Sequence, residues 1–189
     1  MGKLIATEFV SLDGVMQAPG GEPGYAHSGW VGPLFSDELG AYKLDEQLGA
    51  DILLLGRRTY ESFYGAWPHR DGPMADKINT MPKYVASTTL PSLEWDTASL
   101  LDLPVGPAVA RLKERDDATI LIAGSRTLVH TLLAAGLVDQ LNLQVFPVML
   151  GSGFRLYPDG PESTSLTLVS STALPNGVVL QNYAVGAAS

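Results

Sequence analysis

Leu53-Leu54-Leu55-Gly56-Arg57-Arg58-Thr59-Tyr60-Glu61-Ser62-Phe63 is an apolar run that stops at a glycine. Two arginines follow, and a threonine then opens what reads as a helix. A strand-to-helix turn of this kind exposes helix-start N–H groups beside a hydroxyl and two guanidinium groups, the donor set of an anion site. The chain carries 12 Lys+Arg against 20 Asp+Glu, a formal charge of -8. Adjacent cations here are therefore not a by-product of general basicity.

The same acidity argues against nucleic acid as a partner, because no stretch supplies a basic face. A negative field also repels a polyanionic ligand at long range, so a phosphate site must be local and preorganised. With 189 residues, 46% hydrophobic and 17% charged, one globular domain over 1–189 is the expectation. No cysteine is present, which excludes thiol nucleophiles and Cys-ligated metals and fits a cytoplasmic location. His27, His69 and His130 lie far apart without metal-ligand spacing, so no metal is expected. Met1 to Glu8 lacks a signal-peptide pattern, and no run of about 18 apolar residues predicts a membrane span.

Outward from the quoted turn, apolar segments alternate with helical ones. Leu4–Val10 reads as a first strand, followed by the turn Ser11-Leu12-Asp13-Gly14. Residues 17–33 are rich in Gly, Pro and aromatics and lack periodicity, which suggests a lid rather than a solvated excursion, since Tyr25, His27 and Trp30 are odd choices for a linker. Ser36 is placed to cap a helix over roughly 37–48, with Leu39, Tyr42 and Leu48 near one face. Further strands are expected at 51–55, 83–87 and 119–123, and helices from near Thr59 to Pro68, over 72–80, from Pro104 to Arg115, and after Ser125. Leu141, Leu143 and Val145 alternate with Asn142 and Gln144, the pattern of a half-exposed strand. Strands at 165–173 and 178–185, joined by Pro175-Asn176-Gly177, read as a hairpin. The sum is a three-layer α/β/α sandwich with a mostly parallel central sheet and a C-terminal antiparallel hairpin.

In such sheets ligands bind off the carboxyl ends of the strands. Three loops reach that rim with matching character: Gly56-Arg57-Arg58-Thr59, Ser87-Thr88-Thr89 and Gly124-Ser125-Arg126-Thr127. Three together suggest an extended, multi-phosphate ligand such as a dinucleotide. Plain helix capping is the competing account of Thr59 and Ser125, and a surface salt bridge that of Arg57. No Gly-x-Gly-x-x-Gly or Gly-Lys-Ser/Thr loop occurs, so the scaffold is neither a Rossmann unit nor a P-loop.

Leu55-Gly56-Arg57-Arg58-Thr59-Tyr60-Glu61-Ser62 resembles the Gly-Arg-x-Thr-Trp-Glu-Ser motif of dihydrofolate reductases. With Val10-Ser11-Leu12-Asp13-Gly14, Ala123-Gly124-Ser125 and Phe146-Pro147-Val148-Met149-Leu150-Gly151-Ser152-Gly153, the whole chain is similar to the C-terminal reductase domain of the bifunctional riboflavin-pathway deaminase–reductase, in standalone form. The resemblance implies a dihydrofolate reductase-like fold and NADPH as cofactor. It assigns Arg57 to the adenosine 2′-phosphate, Thr59 and its helix start to the pyrophosphate, Ser87 and Thr88 to a second 2′-phosphate loop, and Gly124, Ser125, Arg126 and Thr127 to the turn under the diphosphate. Gly56 shapes the first turn, and Arg58 joins the site or points to solvent.

On the substrate side, Asp13 lies near where the family places nicotinamide. Dihydrofolate reductases carry an acid on the first helix, and Asp37 or Glu38 is the nearest match. Asp13 and Asp37 are accordingly the candidate catalytic acids; Trp30 and Phe35 are candidate pocket walls, and Arg155 the candidate grip on a substrate phosphate. The implied activity is NADPH-dependent reduction of a small heterocycle or a ribosylamino-pyrimidine phosphate. A non-catalytic nucleotide sensor and a true dihydrofolate reductase are the alternatives. A homodimer is expected through the half-exposed strand at 139–147.

Overall fold

The computed structural model describes residues 1–115, 117–157 and 163–186. Eight strands form one sheet: β1 (Lys3–Ser11), β2 (Ile52–Gly56), β3 (Lys83–Ala86), β4 (Ala98–Leu100), β5 (Thr119–Ala123), β6 (Gln140–Phe146), β7 (Leu166–Ala173) and β8 (Val179–Val185). Their order is β4-β3-β2-β5-β1-β6-β8-β7. From β4 to β6 every pairing is parallel, and β8 runs against both β6 and β7. This is the α/β sandwich with a C-terminal hairpin that the alternating pattern predicts. The three-residue edge strand β4 had no signal of its own, being too short to show a period.

Among the described residues five α-helices cover the faces: α1 (Asp37–Leu48), α2 (Arg57–Ala66), α3 (Pro73–Thr80), α4 (Val105–Arg115) and α5 (Arg126–Ala134). Alternation along β1 sorts the core. Leu4, Ala6 and Val10 pack with Val109 of α4 and Leu128, Val129 and Leu132 of α5. Ile5 packs on the opposite side, with Tyr60 of α2 and Ile78 of α3. A third cluster puts Leu39 of α1 with Trp30 and Phe146, and Phe9 joins it. Burying both faces of the sheet in this way supplies the main driving force for folding.

Three local expectations change. Leu48 is 50% exposed, so it is not on the buried face of α1. That face is Leu39, Tyr42, Lys43, Glu46 and Gln47, the i, i+3, i+4, i+7, i+8 set of a single helical stripe. Second, β6 is not half exposed: Asn142 and Gln144 are buried beneath α1. Third, β6 lies between β1 and β8 with both edges paired, so it offers no edge for a homodimer seam. The open edge on that side is β7, exposed along its full length.

Candidate active site

A cavity of about 1200 Å3 runs along the carboxyl ends of β1, β2, β3 and β5. It has two chemically distinct ends.

The first end is built from the turns after β2 and β5. Gly56 precedes α2 in extended conformation, so Arg57 and Arg58 lie inside the first turn of the helix and Thr59 follows at its third position. Thr59 is therefore not a capping residue. Its Oγ1 accepts from the Ser125 backbone N–H at 3.1 Å and lies 3.0 Å from Ser125 Oγ. Ser125 Oγ in turn accepts the Gly56 N–H at 2.8 Å. Ser125 does not cap α5 through its side chain either; it sits left-handed at φ 62°. The two hydroxyls thus clamp the starts of α2 and α5 together. Glycine is favoured at one side of the clamp: Gly124 sits at φ +56°, and a Cβ there would lie 3.3 Å from Thr59 Oγ1.

Arg57 reaches across to the loop after β3, donating from Nη1 to Thr89 Oγ1 at 2.8 Å, while its Nε stands 3.2 Å from Glu61. The salt-bridge account of Arg57 is thus part of the geometry, and the same guanidinium lines the cavity. Ser87 Oγ accepts the N–H groups of Thr89 and Leu90, fixing that loop. Arg58, Thr88 and Thr127 also face the cavity. Arg126 lines it with its Nε donating to the Arg155 carbonyl and its guanidinium 5.2 Å from the Phe154 ring.

The second end lies between β1 and α1, under the 17–33 segment. Thr7, Phe9, Phe35, Lys43 and Gln47 form this wall. Lys43 Nζ donates to Thr7 Oγ1 at 2.6 Å and pairs with Glu46. The two side chains are only 17% and 6% exposed. Glu46 accepts a further bond from Asn142 Nδ2 at 2.7 Å, and Gln144 Nε2 reaches Thr7 Oγ1 at 3.3 Å. The polar residues of β6 are thus the base of this wall.

Glu8 is 2% exposed and belongs to the cavity lining. The register pairs it with Leu143, on the α5 side of the sheet. Burial pushes its carboxyl well above the usual carboxylate range, and Glu46 pushes the same way; the Lys43 charge and the Gly124 N–H oppose them. Among the described residues its Oε1 has no hydrogen-bond partner.

Four expected substrate-side residues fall elsewhere. Asp13 does not line the cavity. Its carboxylate accepts from Ser11 Oγ and from the Leu150 and Gly151 N–H groups, which hold its pKa at about 2. It straps two loops together and is fully ionised at neutral pH, so it has no proton to donate. Asp37 is exposed in the first turn of α1, outside the cavity wall, where the helix dipole favours an acid. Trp30 is buried edge-on against Phe146, with its Nε1 donating to the Gln17 carbonyl; it packs the 17–33 segment onto the core rather than walling the cavity. Arg155 donates to the Asp13 carbonyl and lies off the cavity wall. Phe35 does line it.

Lys43 and Glu8 line the cavity without being among the residues the sequence points to. Each left a signal: an acid inside an apolar strand, and Lys43, Glu46 and Gln47 on the otherwise apolar stripe of α1.

Residues 2–180 match the family model described as the RibD C-terminal domain. The chain belongs to the RibD C-terminal domain family. Within reach of this family, it is 25% identical over 182 residues to the YyaP protein of Bacillus subtilis (strain 168), covering 94% of this chain and 92% of that one. A solved structure from Shewanella sp. PV-4, named for riboflavin biosynthesis, superposes with TM-score 0.77 at 20% identity over 98% of this chain and 99% of the other. The dihydrofolate reductase of Enterococcus faecalis, solved in complex with NADP(H), gives TM-score 0.63 at 16% identity over 98% of each chain. The RibD C-terminal domain fold here is thus dihydrofolate reductase-like. No helix among the described residues is long and apolar enough to cross a membrane.

Proposed function

We propose that this RibD C-terminal domain protein is an NADPH-dependent reductase of a small planar heterocycle. The observation that carries the reading is the clamp between two helix starts at Thr59 and Ser125, with Arg57, Arg58 and Arg126 along the same rim. Two features fit a dinucleotide. Gly124 stands left-handed where a Cβ would crowd Thr59, leaving backbone for a diphosphate to approach. Arginines supply the forked, charge-assisted donors that phosphates take.

Bound NADPH would supply a hydride from the nicotinamide ring. The chain's own part is binding and orientation. Gly56, Thr59, Gly124 and Ser125 would hold the diphosphate. Arg57, braced by Thr89 and Glu61, would hold the 2′-phosphate beside the Ser87-Thr88 loop. Phe9 and Phe35 would exclude water at the other end. Arg155, the expected grip on a substrate phosphate, lies off the cavity wall, which favours a heterocycle without a phosphate ester over a ribosylamino-pyrimidine phosphate.

Fluorescence titration with NADPH and NADH tests the reading. Wild-type protein should saturate with NADPH. Arg57→Ala should weaken NADPH by about 10–100-fold, the worth of charged hydrogen bonds, and leave NADH nearly unchanged. Equal losses for both would remove the 2′-phosphate assignment, and no saturable NADPH binding would remove the function.

A further inference from the structure

We propose that Lys43 is the residue that reads the second ligand, donating a hydrogen bond to an oxo or ring-nitrogen acceptor on a planar heterocycle held between Phe9 and Phe35. The site deepens the reductase reading and rests on it for the identity of that ligand as substrate.

Lys43 is the one cation that α1 contributes, and β1 contributes none to the cavity wall. An ammonium group has three N–H donors. Thr7 Oγ1 takes one and Glu46 takes another. Among the described residues the third has no acceptor, and Lys43 borders the cavity. The ammonium cannot swing away freely. Glu46 is itself pinned by Asn142, Thr7 is pinned by Gln144, and the Phe9 ring lies 5.4 Å from Nζ. Phe9 is fixed in turn by an edge contact with Phe146 at 5.6 Å between centroids.

Two consequences for selectivity follow. Glu46 neutralises Lys43 locally, so the wall presents one oriented donor rather than net positive charge. That suits a neutral acceptor and serves a phosphate dianion poorly. Conversely, a ligand offering amino donors at this wall meets a Glu46 carboxylate that is already engaged. The Glu46 oxygens are taken by Lys43 and Asn142, and Glu8 faces the other side of the sheet. Flat rings with carbonyl groups are thus favoured over the same rings with amino groups, and the aromatic walls favour flat rings over flexible chains.

A pair of fluorescent bicyclic probes tests this, titrated at pH 7 with and without saturating NADP+. They are 2,4-dioxopteridine and 2,4-diaminopteridine, alike in shape and opposite in hydrogen-bonding sense. Wild-type protein should bind the dioxo ring about tenfold or more tightly than the diamino ring, the discrimination expected of one charge-assisted bond. Lys43→Gln should bring the two affinities together, Lys43→Arg should keep the preference, and Phe35→Ala should weaken both probes equally. Equal or tighter diamino binding, failure of both probes to saturate, or an unchanged preference in Lys43→Gln each overturns the assignment. If Lys43→Gln does not fold, the wild-type preference and the Lys43→Arg and Phe35→Ala variants still decide it. NADPH titration is read separately: a Lys43-dependent preference without NADPH affinity would remove the reductase reading and leave this site standing.

Discussion

The two ends of the cavity are made in opposite ways. The rim at Gly56 and Gly124 is assembled from backbone turns and exposed cations, each supplied by a short contiguous stretch. The wall at Lys43 is assembled from single side chains on β1, α1 and β6, far apart in sequence and buried together. A rim of the first kind tolerates change to its charges without unfolding, because those charges are solvated. A wall of the second kind ties ligand recognition to the stability of the core, because removing one partner strands another in a poorly solvated place.

The contrast breaks most sharply at Glu46. Glu46→Ala leaves the Lys43 ammonium without its carboxylate and should cost about 3 kcal/mol, measured by urea denaturation. A loss below about 0.5 kcal/mol would mean the wall is as loosely coupled to the fold as the rim.

Next in size is the backbone of the rim itself. Gly124→Val forces a β-branched residue into left-handed conformation and against Thr59, costing about 1–2 kcal/mol from the backbone alone. The same variant should weaken NADPH more than any single arginine removal does, as followed by titration.

Glu8→Gln sharpens the comparison by sign. The folded-state pKa of Glu8 is raised above its ordinary 4.5, so the carboxyl favours folding below that pH and opposes it increasingly as pH rises. The variant should be more stable than wild type at pH 7, by about 1 kcal/mol, and lose that advantage near pH 4. Thermal melts at the two pH values check this. Equal melting differences at both would show that Glu8 has found a partner.

The smallest effect belongs to the rim's cations. Arg58→Ala should shift folding stability by less than about 0.5 kcal/mol while reducing NADPH affinity. A large change in melting temperature would place Arg58 in the fold rather than at the surface.

The same division explains what could be read from the chain beforehand. The rim was legible because a strand end, a glycine and a helix start are consecutive in sequence. Their chemistry is stated in a few adjacent letters. Even so, Thr59 and Ser125 read as caps in the sequence, and only the fold shows them bonded to each other between the ends of neighbouring strands β2 and β5. The wall was not legible in the same way. The alternation of Asn142 and Gln144 with leucines is the usual mark of a strand facing water on one side. Here that polar face is buried against polar residues of α1, which produces an identical alternation. Asp13 and Asp37 are candidates by position alone. Local hydrogen bonds claim one, and solvent takes the other. Trp30 went to the core because a long segment without secondary structure still has to be anchored somewhere.

The place of β1 bears on how the molecule is made. It precedes the other described strands in sequence, yet its neighbours in the sheet are β5 and β6, whose residues begin at 119 and 140. Until the residues from 119 onward have been made, the strand that becomes the middle of the sheet has neither flank covered. Synthesis therefore proceeds with an apolar, pairing-competent ribbon on show, and docking comes late and nearly all at once. Stalled or truncated products ending before residue 119 should be clients of chaperones.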